Sequence, residues 1–124
     1  MKGQRLITNI QLFNAKAIVK NTAVESMKID MRSIAERGAC SLQYAVTGSG
    51  TARFEYLISN EDTPTNMIEV ATDIATGITV GSGPGTDGKD IAAFTPTVSR
   101  WLQIQVTETG NVADIAVTAW LVVT

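Results

Sequence analysis

Apolar and polar positions alternate with a period of two through the last quarter of the chain. Across residues 98–107, Leu102, Ile104 and Val106 alternate with Trp101, Gln103, Gln105 and Thr107. Across residues 112–124, Ile115, Val117, Ala119, Leu121 and Val123 alternate with Ala116, Thr118, Trp120 and Val122. Successive side chains of a strand point to opposite faces, so each segment predicts a strand with one fully apolar face. The intervening Glu108-Thr-Gly-Asn111 reads as a tight turn. Together they predict a C-terminal hairpin that brings Trp101 and Trp120 near one side of a sheet.

The same period recurs upstream. Cys40, Leu42, Tyr44 and Val46 share one face of a strand over residues 40–47. After Gly48-Ser-Gly50 the chain returns through residues 52–60, with Phe54, Tyr56 and Ile58 expected inward and Arg53, Glu55 and Ser59 outward. Glycine reaches positive φ without steric cost, so this pair predicts a second hairpin. Residues 24–31 read as a half-buried strand with Met27, Ile29 and Met31 on one face, and residues 16–21 as a short strand centred on Ile18 and Val19. Residues 33–38 suggest one helical turn, with Ser33 as N-cap, Glu36 at the capping-box position and Gly38 as the stop. Beyond a loop containing Pro64 come a short strand at 67–70, a loop or helical turn at 71–77, an exposed glycine-rich hairpin tip at 81–88 and a strand at 89–95. Seven or eight short strands predict an all-β chain, an antiparallel β-sandwich or jelly roll, with a closed barrel as the other arrangement.

Residues 1–15 break the pattern. Leu6, Ile7, Ile10, Leu12 and Phe13 lie among Gln, Asn and Thr with a period of neither 2 nor 3.6. They fit a strand or turn packed on the domain, or an extended arm docked on a partner. The arm is the reading taken here, giving an N-terminal arm over 1–15 and a β-sandwich domain over 16–124.

Charge sharpens that division. The 124 residues carry a net charge of −2, which gives no reason to expect nucleic-acid binding. Residues 1–37 hold seven basic against three acidic side chains, +4, and the rest holds three basic against nine acidic, −6. A basic front end on an acidic body steers contacts with neighbouring copies or an acidic platform. The charged fraction, 18%, is below the usual ~25%, which predicts a surface finished in Thr, Ser, Asn and Gln. No apolar run approaches the ~20 residues that span a bilayer, and no secretory h-region opens the chain, so no membrane is expected.

The chain offers little for catalysis. It has no histidine, which removes Ser–His and Cys–His nucleophiles and His-based metal sites. The single cysteine, Cys40, is in phase with buried positions and reads as a small core residue. Glu61–Asp62, Asp87 with Asp90, and Glu108 all fall at expected loops, where carboxylates are simply solvated, and Asp87-Gly-Lys-Asp90 lacks the ligand series of a calcium loop. No enzyme activity, cofactor or metal is expected. Trp101 and Trp120 are the candidate recognition residues: an outward tryptophan anchors a subunit contact or stacks on a sugar ring.

Three segments carry a resemblance: Ser26-Met-Lys-Ile-Asp-Met-Arg32, the strand–turn–strand from Cys40-Ser-Leu-Gln through Thr47-Gly-Ser-Gly to Ile58-Ser-Asn60, and Arg100-Trp-Leu-Gln-Ile-Gln-Val-Thr107. Across about two-thirds of the chain they resemble a pattern in small β-sandwich virion proteins of tailed bacteriophages. Thr51-Ala52 stands where that pattern often has a Thr-Gly pair, and its aromatic-rich loop after Asn60 is missing. The resemblance implies a capsid decoration (cement) protein that sits on the shell as a homotrimer, binds the major capsid protein or another virion protein, and stabilises capsomer junctions. It would be made in the host cytoplasm and end on the capsid surface. A tail or fibre component, or a carbohydrate-binding adhesion module, is the alternative. For the cement reading, Leu6, Ile7, Ile10, Leu12 and Phe13 are the expected anchors. Lys2, Arg5, Lys16 and Lys20 are the electrostatic guides, and Trp101 and Trp120 complete the expected partner-binding set.

Overall fold

The computed structural model describes residues 8–33, 38–70 and 72–124. Among these described residues ten strands form two antiparallel sheets: β1 Thr8–Ile18, β2 Ala23–Glu25, β3 Ile29–Asp30, β4 Cys40–Gly48, β5 Ala52–Ser59, β6 Ile68–Glu69, β7 Ala75–Ile78, β8 Lys89–Phe94, β9 Trp101–Glu108 and β10 Ile115–Val123. A 3-10 turn, Met31–Ser33, follows β3. Sheet A runs β1-β10-β4-β8. Sheet B is built on β9 and β5, with β2 and β3 both pairing β9 and β6 and β7 both pairing β5. Counting β2/β3 and β6/β7 as two interrupted strands leaves eight positions, and the chain visits the sheets in the order A, B, A, B, B, A, B, A. That is the double Greek-key path of a jelly roll.

The apolar rows read from the sequence meet in the middle. Leu102, Ile104 and Val106 of sheet B face Leu42, Val46, Val117, Ala119, Leu121 and Val123 of sheet A, all fully buried. Two aromatic pairs stitch the layers together. Tyr44 of sheet A stacks on Phe54 of sheet B at 4.4 Å between ring centroids, and Tyr56 of sheet B tilts against Phe94 of sheet A at 5.5 Å.

Both expected hairpins are replaced by arches. β4 and β5 lie in different sheets, and so do β9 and β10; the turns at 48–51 and 109–114 carry the chain from one layer to the other. The glycine-rich 81–88 segment likewise links β7 of sheet B to β8 of sheet A, and Gly88 within it is buried. A two-sided alternation specifies which face is apolar but not which strand lies alongside, and a sandwich satisfies the apolar face equally well across the layer. In β5, Glu55 and Ser59 point away from the core as expected yet are buried, as is Leu57. Glu55 accepts hydrogen bonds from Arg53, Gln105 and Thr107 on that outer face.

The front of the chain departs furthest from expectation. Residues 8–15, read as arm, are part of β1, which pairs β10 from Thr8↔Val123 to Ile18↔Ile115. Leu12 and Phe13 are buried in the core and Ile10 packs against it. These three therefore serve the domain itself rather than a partner. Register shifts between Gln11 and Phe13 and between Phe13 and Lys16 put two consecutive residues inside, which is why no clean period shows here. Residues 24–31 are also broken, into β2 and β3, leaving Met27 exposed while Ile29 and Met31 are buried. Val19, expected at a strand centre, lies past the end of β1 and is exposed. Most of the helical turn expected at 33–38 lies outside the described residues.

Candidate functional site: the outer face of the four-stranded sheet

β10 is the strand that organises sheet A, with β1 on one side and β4 then β8 on the other. Its odd-numbered side chains from Ile115 to Val123 fill the core, which turns Ala116, Thr118, Trp120 and Val122 to the outside. The register then sets cross-strand rows. Gln11, Trp120, Gln43 and Ile91 are directly paired across all four strands. Asn9, Val122, Ser41 and Ala93 form the row on one side, and Thr118, Ala45 and Lys89 the row on the other. Side chains in both flanking rows are mostly small, so the Trp120 row stands up as a ridge with a trough along each edge. One trough encloses about 470 Å³ between Gln43, Ala45, Pro84, Asp90, Thr118 and Trp120. The other encloses about 250 Å³ between Asn9, Ser41, Gln43, Ile91, Trp120 and Val122.

Nothing among the described residues covers this ridge: Trp120 is 39% exposed and Ile91 60%. It is also poor in charge. Across the four strands of sheet A the ionisable carboxylates and cations are Lys16, Lys89 and Asp90 alone. The face is an aromatic platform bordered by amides, hydroxyls and small apolar groups.

Trp101, the other expected platform, sits on the opposite layer and is already engaged. Its indole N–H donates to the Glu61 carbonyl at 3.0 Å, and the Arg100 guanidinium lies 5.3 Å from its ring centroid. Arg100 is held in turn by Asp62 at 2.7 Å. The loop after β5 thus closes over Trp101, and the two tryptophans are separated by the thickness of the sandwich rather than brought together.

Of the front-end residues, Lys2, Arg5, Leu6 and Ile7 lie outside the described residues. Lys16 is exposed on β1, an edge strand of sheet A, and Lys20 is exposed in the turn after it, where its amide N–H donates to Asp114 Oδ1 at 2.8 Å. Of the described front-end cations, Lys16 shares sheet A with Trp120, and Gln11 of the same strand pairs directly with Trp120.

Cys40, Glu61 and Glu69 are shifted by their places in the scaffold. Cys40 is buried, and burial pushes its thiol up to about 11, which leaves it unreactive. Glu61 accepts from the Asn66 backbone and side-chain amides and from Ser59, which holds its carboxyl below the usual range. Glu69 is raised by sharing a hydrogen bond with Glu55. No group of three or more potential metal ligands occurs among the described residues. Sequence reasoning located Trp120 but missed Gln11, Gln43 and Ile91 as its row. The outward phase of each strand was legible; their adjacency was not, because it depends on β1 and β4 flanking β10 from opposite ends of the chain.

No family profile and no curated protein matches this sequence. Among solved structures, the chain is similar to a structure of infectious bursal disease virus Gx strain, with a TM-score of 0.51 at 12% identity over 95% of this chain. It matches the VP2 subviral particle of infectious bursal disease virus equally, TM-score 0.51 at 12% identity over 95%. It matches tripeptidyl peptidase 2 at 0.57 and 14% identity over 98%. The chain spans 31% and 32% of the two viral chains and 10% of the peptidase. At these identities the likeness is one of fold, and viral capsid proteins are among the chains that share it.

Proposed function

We propose that this chain is a structural protein of a virion, a jelly-roll decoration protein that binds the outer shell and stabilises capsomer junctions without any catalytic step. The observation that carries the reading is that β1, an edge strand of sheet A, bears the exposed Lys16 and runs into a turn bearing the exposed Lys20. In the sequence, Lys2 and Arg5 precede Thr8, the first residue of that strand. The fold shared with viral capsid proteins supports the same assignment.

In this reading the cations steer the protein onto an acidic shell surface and fix its orientation. Apolar contacts from Leu6 and Ile7 then add roughly 25 cal/mol per Å² buried. A homotrimer engaging three neighbouring capsomers would multiply that modest contact through effective concentration. The partner is the major capsid protein, and the location is the capsid surface.

Mixing shells that lack this protein with full-length chain, with a chain starting at Thr8, and with K16E/K20E tests the reading. Full-length protein is expected to bind in fixed stoichiometry, with affinity falling as salt rises. Both variants should lose most shell binding while keeping their thermal unfolding midpoint. Undiminished binding by both variants, or recovery of the protein with tails alone, overturns the assignment.

A further inference from the structure

We infer that the troughs beside Trp120 form a binding site for a neutral oligosaccharide, separate from the basic flank through which the shell reading attaches the protein. The argument starts from the row Gln11–Trp120–Gln43, in which an exposed indole lies between two amides on adjacent strands. A pyranose ring has an apolar face of C–H groups and an equator of hydroxyls. Such a ring needs a flat aromatic surface beneath it and side chains at its edge that both donate and accept hydrogen bonds. Trp120 supplies the first. Gln43, facing both troughs, supplies the second, joined by Thr118 on one side and Asn9 on the other.

Charge selects the class of sugar. The ridge row is uncharged, and the larger trough carries a single cation, Lys89, in the row beside it. The Gln11–Trp120–Gln43–Ile91 row offers an anionic glycan no cation, and Lys89 lies outside that row at one edge of the trough, so the complementary ligand is neutral. Shape sets its size. The larger trough, about 470 Å³, falls within the ~300–1,000 Å³ of small-ligand sites. Four strands at ~4.8 Å spacing give the face a width of about 14 Å, room for a short oligosaccharide rather than a single ring. A protein partner would bury the same ridge, but it would leave Gln11 and Gln43 needing matched partners at the centre of an apolar contact.

Intrinsic fluorescence and titration calorimetry with a panel of soluble neutral hexasaccharides (cellohexaose, xylohexaose, mannohexaose and maltohexaose) test the inference on the full chain. At least one is expected to bind saturably and to perturb tryptophan emission. W120A should weaken that binding at least about tenfold and Q43A several-fold, while W101F leaves it unchanged because Trp101 is engaged on the other layer. Unchanged melting of W120A confirms that the fold is intact. No saturable binding to any member of the panel, or binding that survives W120A, overturns the inference. Loss of shell binding by W120A without any saccharide binding overturns it too and gives the face to a protein partner. Failure of the basic-flank variants to affect shells leaves this result untouched.

Discussion

Glu108 shows how far a single side chain can set local structure. It is fully buried at the end of β9, and its two oxygens accept four backbone N–H groups: Thr51 and Gly110 on Oε2, Asn21 and Asn111 on Oε1, at 2.8–2.9 Å. Three separate turns are pinned to one carboxylate. The amides of Thr51, Asn21, Gly110 and Asn111 outweigh burial and hold its pKa at about 2. Asn21 and Asn111 both adopt left-handed backbone angles, φ 58 and φ 53, which asparagine tolerates and β-branched residues do not. The sequence reading placed Glu108 in a solvated loop, because a carboxylate at a turn carries no sign of the N–H groups that converge on it. Glu108→Gln keeps one acceptor but aims an NH₂ at the other pair of donors. We expect a loss of about 2–3 kcal/mol in urea unfolding at pH 7. Because the folded pKa lies below the unfolded value near 4.5, the ionised group stabilises the fold above pH ~4.5, and that contribution is lost as pH falls through about 2. Wild-type stability should therefore decline across that window, and the Glu108→Gln curve should be flatter there. Parallel curves would show that Glu108 does not govern the acid limb. At the neighbouring position, Asn111→Gly should be nearly neutral and Asn111→Val clearly destabilising in thermal melts.

At the level of elements, the strands were legible and their partners were not. The alternation in β4, β5, β9 and β10 named the buried rows correctly, since Leu42, Val46, Phe54, Leu102, Ile104 and Leu121 are all fully buried. Short glycine-bearing turns were read as hairpins because a tight turn most often joins neighbours. Here the turns are shaped by what they pack against. A Cβ on Gly50 would run into the Ala113 carbonyl and come within 2.8 Å of Ile115 Cγ2, so this glycine lets the β4–β5 arch lie flat on the β9–β10 arch. No local pattern announces such a contact between segments some sixty residues apart. Gly50→Ala should accordingly destabilise the fold by about 2 kcal/mol or more, although alanine is a better strand residue than glycine. A measured change within a few tenths of a kcal/mol would mean that the arches can separate without cost. The same limit hid the candidate site, whose residues come from four strands that only the finished jelly roll sets in a row.

For the molecule as a whole, the first and last strands are partners, so the fold closes only when both ends of the chain are in place. β1 covers one side of β10, and with it come Leu12, Phe13 and Ile18, all core residues. At roughly 1.5–3 kcal/mol for each large apolar side chain buried, removing the three costs about 4.5–9 kcal/mol, comparable to the ~5–15 kcal/mol that holds an ordinary domain together. A chain beginning at Val19 should therefore lose its cooperative urea transition and its near-ultraviolet circular dichroism. A chain beginning at Thr8 keeps every one of these contacts and should unfold with the full-length midpoint. The contrast separates two roles that the sequence reading gave to a single arm over 1–15: residues 8–15 join 16–18 in completing the sandwich, and the proposal for shell attachment rests on what precedes them together with Lys16 and Lys20. Pairing of ends so far apart in sequence also makes closure slow, since loop-closure entropy is spent before the contact is gained. Refolding should fall in the millisecond-to-second range, as for other sandwiches. A substitution in the β1–β10 seam, such as Phe13→Ala, should act mainly by accelerating unfolding if that seam forms after the transition state. A slowed folding limb in Phe13→Ala would instead put the joining of the two ends in the nucleus, and the sandwich would then assemble from its edge strand inward.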